Sequence, residues 1–175
     1  MEPMRRPFAW RASPLLATDP AAARLHDSTR LAAAVREAGA LALKYVGSPI
    51  KSWFKHGNSP VSEADIAVDE LFRARLADPT ADYGWLSEEG ENDPSRLTKR
   101  HVWVIDPIDG TRAFIAGRTD WSISAALVED GRPVVAVVFA PVSEEFFTAV
   151  SGQGATRNGE PMAVSAGSGL DGART

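Results

Sequence analysis

The pattern of hydrophobic and polar positions divides the chain into a helical first part and a strand-rich second part. Between residues 27 and 47, apolar residues recur at three- and four-residue steps, which predicts an amphipathic helix. These residues are Leu31, Val35, Ala38, Leu41, Ala42 and Tyr45. Asp27 or Ser28 is the expected cap of this helix, and Gly47 is its expected end.

A second helix is predicted over residues 62–77. Ser62 is its expected N-cap, and Asp65 follows three residues later, the spacing of a capping box. Asp65 is therefore placed in the first turn of a helix. The polar residues 55–60 between the two helices are predicted to form a turn, because Pro60 disfavours helical geometry in the residue before it.

After residue 79 the chain consists of short segments rich in β-branched and aromatic residues. Strands are predicted at 83–86, 102–105, 121–128, 134–140 and 146–150. Asp130-Gly131 is expected as the hairpin turn between the third and fourth of these strands. The glycine-rich segment 152–159 is interpreted as two successive turns. Helices followed by strands favour an α+β fold, with two N-terminal helices packed on a largely antiparallel sheet.

The composition narrows the possible functions. A length of 175 residues predicts one domain, which we place at 27–165, between an N-terminal extension (1–26) and a Gly- and Ser-rich linker (166–175). The chain has no cysteine, so a metal site must use oxygen or histidine ligands. A net charge of -4 without blocks of like charge argues against a nucleic-acid partner. No apolar run is long enough to span a membrane, and we expect a cytoplasmic protein.

Two aspartates, Asp106 and Asp109, follow an apolar strand directly and bracket a proline. We expect both carboxylates to leave the strand end in a rigid turn. Two carboxylates about 4 Å apart repel each other by roughly 4 kcal/mol at an effective dielectric constant of 20, and a divalent cation relieves that repulsion. Glu88, which follows another predicted strand with Glu89, could join them at one edge of the sheet. Carboxylate oxygens are the ligands that Mg²⁺ prefers.

Gly110-Thr111 is expected to open a helical turn whose free amides face an anion such as phosphate. The Thr111 hydroxyl could orient or deprotonate a water molecule if Asp65 takes the proton. Each feature also has a structural interpretation, since Asp65 can be a simple helix cap and Glu88-Glu89 a solvated acidic loop. The combination of a buried strand with Asp-Pro-Ile-Asp-Gly-Thr favours a functional site.

Three motifs resemble the signature of the inositol monophosphatase-like phosphatases, a magnesium-dependent and lithium-sensitive family. They are Trp103 and Ile105 followed by Asp106-Pro107-Ile108-Asp109-Gly110-Thr111, the acidic Ser87-Glu88-Glu89, and Pro60-Val61-Ser62-Glu63-Ala64-Asp65. The motifs occur in the order and spacing of the family. The resemblance covers about residues 26–165, which correspond to the family's N-terminal domain.

The resemblance implies a site with two or three Mg²⁺ ions. One ion would be bound by Glu88, Asp106 and the Ile108 carbonyl, and Asp106 would bridge to a second ion shared with Asp109.

The resemblance also implies the remaining roles. Thr111, hydrogen-bonded to Asp65, would activate the attacking water, while Gly110 and Thr111, with Glu88, would form the phosphate site. Lys55 lies near the position of a basic loop residue of the family.

The expected substrate is a small phosphorylated molecule: a nucleotide, an inositol phosphate or an amino-alcohol phosphate. Asn58-Ser59-Pro60-Val61 and Gly110-Thr111-Arg112-Ala113-Phe114-Ile115 most resemble the bacterial 3′(2′),5′-bisphosphate nucleotidases, so 3′-phosphoadenosine 5′-phosphate is the leading candidate. Inositol 1-phosphate and histidinol phosphate remain alternatives.

The family also has a smaller C-terminal domain, whose Trp-Asp-x-Ala-Ala-Gly-like motif supplies an aspartate to the second metal site. The sequence ends before that motif, so we expect a fragment, a truncated reading frame, or a second chain that supplies the missing half. A homodimer is expected on this basis. A non-catalytic metal-binding or interaction fragment is the competing hypothesis.

Overall fold

The computed structural model describes residues 19–55, 57–78, 81–91 and 93–164. Its helices are α1 (Pro20–Leu43), α2 (Glu63–Leu76) and α3 (Thr111–Ile115), with a 3₁₀ helix at Pro94–Thr98. Its strands are β1 (Ser52–Lys55), β2 (Ser59–Ser62), β3 (Tyr83–Ser87), β4 (His101–Asp109), β5 (Ser122–Glu129), β6 (Arg132–Ala140), β7 (Glu145–Val150), β8 (Gly154–Arg157) and β9 (Glu160–Pro161). No helix in these ranges is long and apolar enough to cross a membrane.

The main sheet has seven strands, in the order β3-β4-β5-β6-β7-β8-β9. Only the β3–β4 pair in it is parallel, and its other neighbouring strands are antiparallel. The predicted α+β fold with a largely antiparallel sheet is therefore confirmed. The parallel pair matters for the site, because the carboxyl ends of β3 and β4 lie at the same edge of the sheet.

Helices α1 and α2 pack against each other and against the sheet, α1 over β5, β6 and β7 and α2 over β4. Their buried side chains form one core with the inward-facing residues of the strands, among them Phe72 and Trp103. The helix α1 lies so close to the sheet at Gly39 that an added Cβ would lie 2.4 Å from the Phe139 ring. Glycine is required there by this close approach.

The first helix begins earlier than its hydrophobic period indicated. It starts at Pro20, and the Asp19 side chain accepts a hydrogen bond from the Ala21 amide at 3.1 Å. The prediction of Asp27 or Ser28 as the cap was therefore wrong. Asp27 is instead a buried residue of α1 that accepts a hydrogen bond from the Tyr83 hydroxyl at 2.8 Å. Most of the proposed N-terminal extension and all of the proposed linker lie outside the described residues.

Further differences concern short strands. A two-stranded antiparallel hairpin of β1 and β2 contains much of the segment expected as a turn, so the turn is confined to the hairpin tip. The turns predicted in 152–159 flank β8, and β8 and β9 extend the sheet beyond the last predicted strand. The predicted hairpin turn is confirmed, with positive φ at Asp130 (49°) and Gly131 (76°), as a type I′ turn requires.

We predict that Leu127→Ala destabilises the fold and that Leu97→Ala does not. Leu127 is 1% exposed in the centre of the sheet, whereas Leu97 is 77% exposed. Truncating a buried leucine costs about 2–5 kcal/mol, and a surface change costs about 0.5 kcal/mol or less. Urea denaturation of the two variants measures the difference, and equal midpoints would contradict the described core.

Candidate active site

The two aspartates of the sequence motif lie on β4 itself, so the expectation that both leave the strand end in a turn was wrong. Asp106 pairs with Ser124 of β5 and Asp109 pairs with Ser122, which leaves one extra residue on β4 between them. Residues three apart in a regular strand point to opposite faces. The extra residue is a β-bulge, which shifts that alternation and lets both aspartates line the same pocket. Pro107, which cannot donate a ladder hydrogen bond, suits this position.

The pocket has a volume of about 260 Å³ and brings together the three sequence motifs. It is lined by Ser59, Pro60, Glu88, Asp106, Ile108, Asp109, Gly110, Thr111 and Arg112. Six of these were predicted from sequence as metal- or phosphate-binding residues. Asp65 and Lys55, the remaining candidates, reach the same region through hydrogen bonds.

Asp65 is both a helix cap and a partner of Thr111. Its Oδ2 accepts hydrogen bonds from the Ser62 amide (2.8 Å) and the Ser62 hydroxyl (2.5 Å), which completes the predicted capping box of α2. Its Oδ1 lies 3.0 Å from the Thr111 hydroxyl. Burial raises the pKa of Asp65, and the hydrogen bonds from Ser62 and Thr111 oppose that rise. Asp65 is therefore the cap of α2 through one oxygen, and its other oxygen makes the contact with Thr111 that the functional interpretation requires.

The Thr111 hydroxyl has two acceptors within reach, Asp65 Oδ1 and the Ile108 carbonyl at 2.9 Å. A hydroxyl has one proton and two acceptor lone pairs. Its proton can bond only one of these acceptors at full strength, and its lone pairs stay available to a donor in the pocket. Thr111 can therefore accept a hydrogen bond from a water molecule while Asp65 or Ile108 holds its proton.

The turn that starts α3 depends on Gly110. This residue has φ of 93°, and an added Cβ would lie 2.9 Å from the Asp120 carbonyl oxygen. The Gly110 carbonyl accepts hydrogen bonds from the amides of Ala113 (2.8 Å) and Phe114 (3.1 Å). The predicted helical turn after the second aspartate is thus confirmed, and it holds Thr111 at the pocket.

The acidic pair follows β3, where the Glu88 amide donates to the Ile105 carbonyl of β4 at 3.1 Å. The ammonium of Lys55, on β1, donates to Glu88 Oε1 (3.0 Å) and Glu89 Oε1 (2.7 Å). Burial lowers the pKa of Lys55, but the two glutamates outweigh burial and raise it overall. The β1–β2 hairpin is thereby tied to the acidic loop.

The carboxylates of the pocket are crowded. Burial, together with the charges of Glu88 and Asp109, raises the pKa of Asp106 to about 7. Among the described residues, no three acidic or histidine side chains are already arranged to hold a metal ion, and Glu88 is engaged by Lys55. The donor set consists of oxygen atoms only, and the mutual repulsion of its carboxylates fits a hard divalent cation.

One hydrogen bond in the site was not predicted from the sequence. Arg112, in the first turn of α3, donates from Nη2 to the Asn58 carbonyl at the tip of the β1–β2 hairpin, at 2.8 Å. The two residues are 54 positions apart, and both belong to the segments that resemble nucleotidases. The sequence offered no signal for their contact beyond that shared resemblance.

Comparison with known proteins identifies the family of the chain. The model of the inositol monophosphatase family matches residues 25–175. The chain belongs to the inositol monophosphatase family. The resemblance drawn from the three motifs is confirmed.

Relatives in this family carry different phosphatase names at similar identity. The chain is 38% identical over 131 residues to a histidinol-phosphatase of Chlorobaculum parvum, covering 74% of this chain and 50% of that protein. It is 40% identical to an inositol-1-monophosphatase of Rhizobium meliloti (61% and 40% covered) and 37% identical to the 3′(2′),5′-bisphosphate nucleotidase CysQ of Salmonella typhimurium (60% and 43% covered). The chain thus spans about half the length, or less, of the curated relatives it matches.

Solved structures share this fold. The extragenic suppressor protein suhB of Bartonella henselae is similar with a TM-score of 0.75 at 29% identity, covering 81% of this chain and 55% of that one. A protein described as an IMPase/NADP phosphatase, complexed with NADP and Ca²⁺, is similar with a TM-score of 0.71 at 23% identity, covering 79% of this chain and 53% of that one. This fold therefore occurs in a protein that binds a divalent cation.

Proposed function

We propose that the protein is a Mg²⁺-dependent phosphate monoester hydrolase. The observation that carries this proposal is the Thr111–Asp65 hydrogen bond of 3.0 Å beside a pocket lined by Glu88, Asp106 and Asp109. A hydroxyl–carboxylate pair next to crowded carboxylates combines a group that can accept a proton from water with a site for cations. The phosphatase names of the relatives agree with this combination.

The proposed ligands are divided between two cation positions. Glu88, Asp106 and the Ile108 carbonyl would hold one Mg²⁺, and Asp106 and Asp109 would share a second. When bound, Mg²⁺ supplies positive charge that polarises the phosphoryl group and lowers the pKa of water.

The residues of the chain itself orient the reactants. The Thr111 hydroxyl, fixed by Asp65, accepts a hydrogen bond from the attacking water and directs its lone pair towards phosphorus. The carboxylate of Asp65 is buried and is the acceptor for the proton that passes through Thr111. The backbone at Gly110 and Thr111 holds the phosphate, at the position where α3 begins.

The proposed substrate is 3′-phosphoadenosine 5′-phosphate, which loses its 3′-phosphate. The support is the resemblance of two segments to bacterial nucleotidases, together with the Arg112–Asn58 hydrogen bond that joins those segments at the pocket. The relative CysQ carries the corresponding name.

We predict that the protein hydrolyses 3′-phosphoadenosine 5′-phosphate faster than inositol 1-phosphate or histidinol phosphate. Phosphate release from the three compounds at equal Mg²⁺ concentration measures the preference. Faster hydrolysis of either of the other two compounds would contradict the nucleotidase assignment and leave the proposed hydrolase in place. Metal binding without release of phosphate from any monoester would favour the non-catalytic hypothesis.

Other predictions from the sequence can be tested directly. Calorimetric titration with Mg²⁺ measures the number of bound ions, and we expect two or three.

Sedimentation of the purified protein tests the expected homodimer, and fractionation of cells tests the expected cytoplasmic location.

A further inference from the structure

The loop that carries Glu88 and Glu89 contacts helix α2 through Arg73, a residue outside the pocket. The Arg73 Nε donates to Asp69 Oδ2 at 2.9 Å, and the guanidinium lies 4.9 Å from the centre of the Trp85 ring. Its Nη2 packs against Gly90, where an added Cβ would lie only 2.5 Å away. The guanidinium is thus held between helix α2, the middle of β3 and the acidic loop.

Asp69 shows that this arrangement has an energetic cost. It is buried, and its second oxygen, Oδ1, has no hydrogen-bond partner among the residues that the structure describes. Leaving a buried carboxylate oxygen without a hydrogen-bond partner is unfavourable. The ion pair with Arg73 compensates for this unfavourable burial. Asp69 therefore orients the guanidinium of Arg73.

The face of α2 that carries Arg73 also carries Asp65, the partner of Thr111 in the site. Asp65, Asp69 and Arg73 follow one another at four-residue steps, which places them along one face of the helix. Asp65 binds Thr111 at one end of this row, and Arg73 contacts Gly90 at the other end. At 1.5 Å per residue, the helix holds these two points about 12 Å apart.

We propose that Arg73 is a positioning residue that fixes the Glu88–Gly90 loop at the distance from the Thr111–Asp65 pair at which Glu88 can bind the metal ion. The inference rests on the proposed function. Gly90 takes part in this contact, because the absence of a side chain leaves room for the guanidinium.

Lys55 holds the same loop in a different way. Its ammonium donates to the Glu88 backbone carbonyl at 3.2 Å, but it also binds the carboxylates of Glu88 and Glu89, where it competes with a cation for the same oxygen atoms. Arg73 packs against the backbone of the loop at Gly90, and its charge is balanced by Asp69. Its hold on the loop therefore persists when a cation is bound.

The test measures metal binding without substrate. Mn²⁺ serves as the paramagnetic probe for Mg²⁺, and its dissociation constant is measured by electron paramagnetic resonance on the purified protein. We expect Arg73→Ala to weaken Mn²⁺ binding about tenfold or more, the usual effect of losing a group that orients a ligand. The matched control is Arg75→Ala on the same helix, whose partner is Glu37 at the surface, and we expect no change in its Mn²⁺ affinity.

Gly90→Ala tests the contact from the other side. Its added Cβ displaces the guanidinium, so we expect a similar loss of affinity. In the double variant Arg73→Ala/Gly90→Ala, the loss should equal that of Arg73→Ala alone, since the two changes act through one contact. Arg73→Lys, which keeps the charge without the planar fork, should restore part of the affinity, and it replaces Arg73→Ala if that variant does not fold.

The outcomes separate the inference from the proposed function. If Arg73→Ala and Gly90→Ala bind Mn²⁺ as tightly as Arg75→Ala, or if their losses add fully in the double variant, the positioning role is overturned and the proposed function stands. If the unmodified protein does not bind Mn²⁺, both are overturned. A merely structural role would lower the unfolding midpoint of Arg73→Ala and leave its Mn²⁺ affinity unchanged.

Discussion

Replacement of Asp106 by asparagine is expected to reduce Mg²⁺-dependent phosphate release by about a hundredfold or more. The substitution keeps the shape of the side chain and removes its charge. Asp106 lines the pocket together with Glu88 and Asp109, and burial and the charges of these two groups raise its pKa to about 7. In the proposed site Asp106 would bind both cations, and losing one electrostatic group of an active site costs about 10²–10³ in turnover.

Asp130→Asn is the matched control for this variant. Asp130 is an exposed aspartate in the β5–β6 turn, and it lies outside the pocket that contains Asp106. We expect its turnover to equal that of the unmodified protein. Steady-state phosphate release at saturating Mg²⁺ measures both variants. If Asp106→Asn retained more than about a tenth of the turnover, Asp106 would have no place in the mechanism.

Thr111→Val should produce the second large effect. Valine has nearly the shape of threonine but lacks the hydroxyl that bonds Asp65 and Ile108, so the attacking water of the proposed reaction would lose its acceptor. Positioned groups that take part in proton transfer contribute about 10²–10⁴ in rate. We therefore expect kcat to fall by about 10² or more, with a smaller change in KM because the backbone that holds the phosphate remains.

The control for this change is Thr111→Ser, which keeps the hydroxyl and removes only a methyl group. It should retain most of the turnover. Asp65→Asn in the Thr111→Val background should add little to the loss, because both residues act through one hydrogen bond. Equal turnover in the valine and serine variants would show that the hydroxyl is dispensable.

Sequence alone was sufficient where the determining interactions are local. The cap of α2 was predicted because Ser62 and Asp65 are three residues apart and bond within one turn of helix. The type I′ turn was predicted because Asp130-Gly131 tolerates positive φ at both positions. The start of α1 was missed although its cap at Asp19 is local, because the alanine-rich residues after Pro20 show little amphipathic period.

The assembly of the site was decided by the tertiary structure. Thr111 and Asp65 are 46 residues apart, and Lys55 and Glu88 are 33 apart, so their contacts exist only after β4, α2 and the β1–β2 hairpin have packed together. The bulge that turns Asp106 and Asp109 to the same pocket arises from the register between β4 and β5. The contact of Arg73 with Gly90 depends on the packing of α2 beside the end of β3. The sequence specified the chemical groups through local motifs, whereas their distances were set by strand order, register and helix packing, which involve residues far apart in the chain.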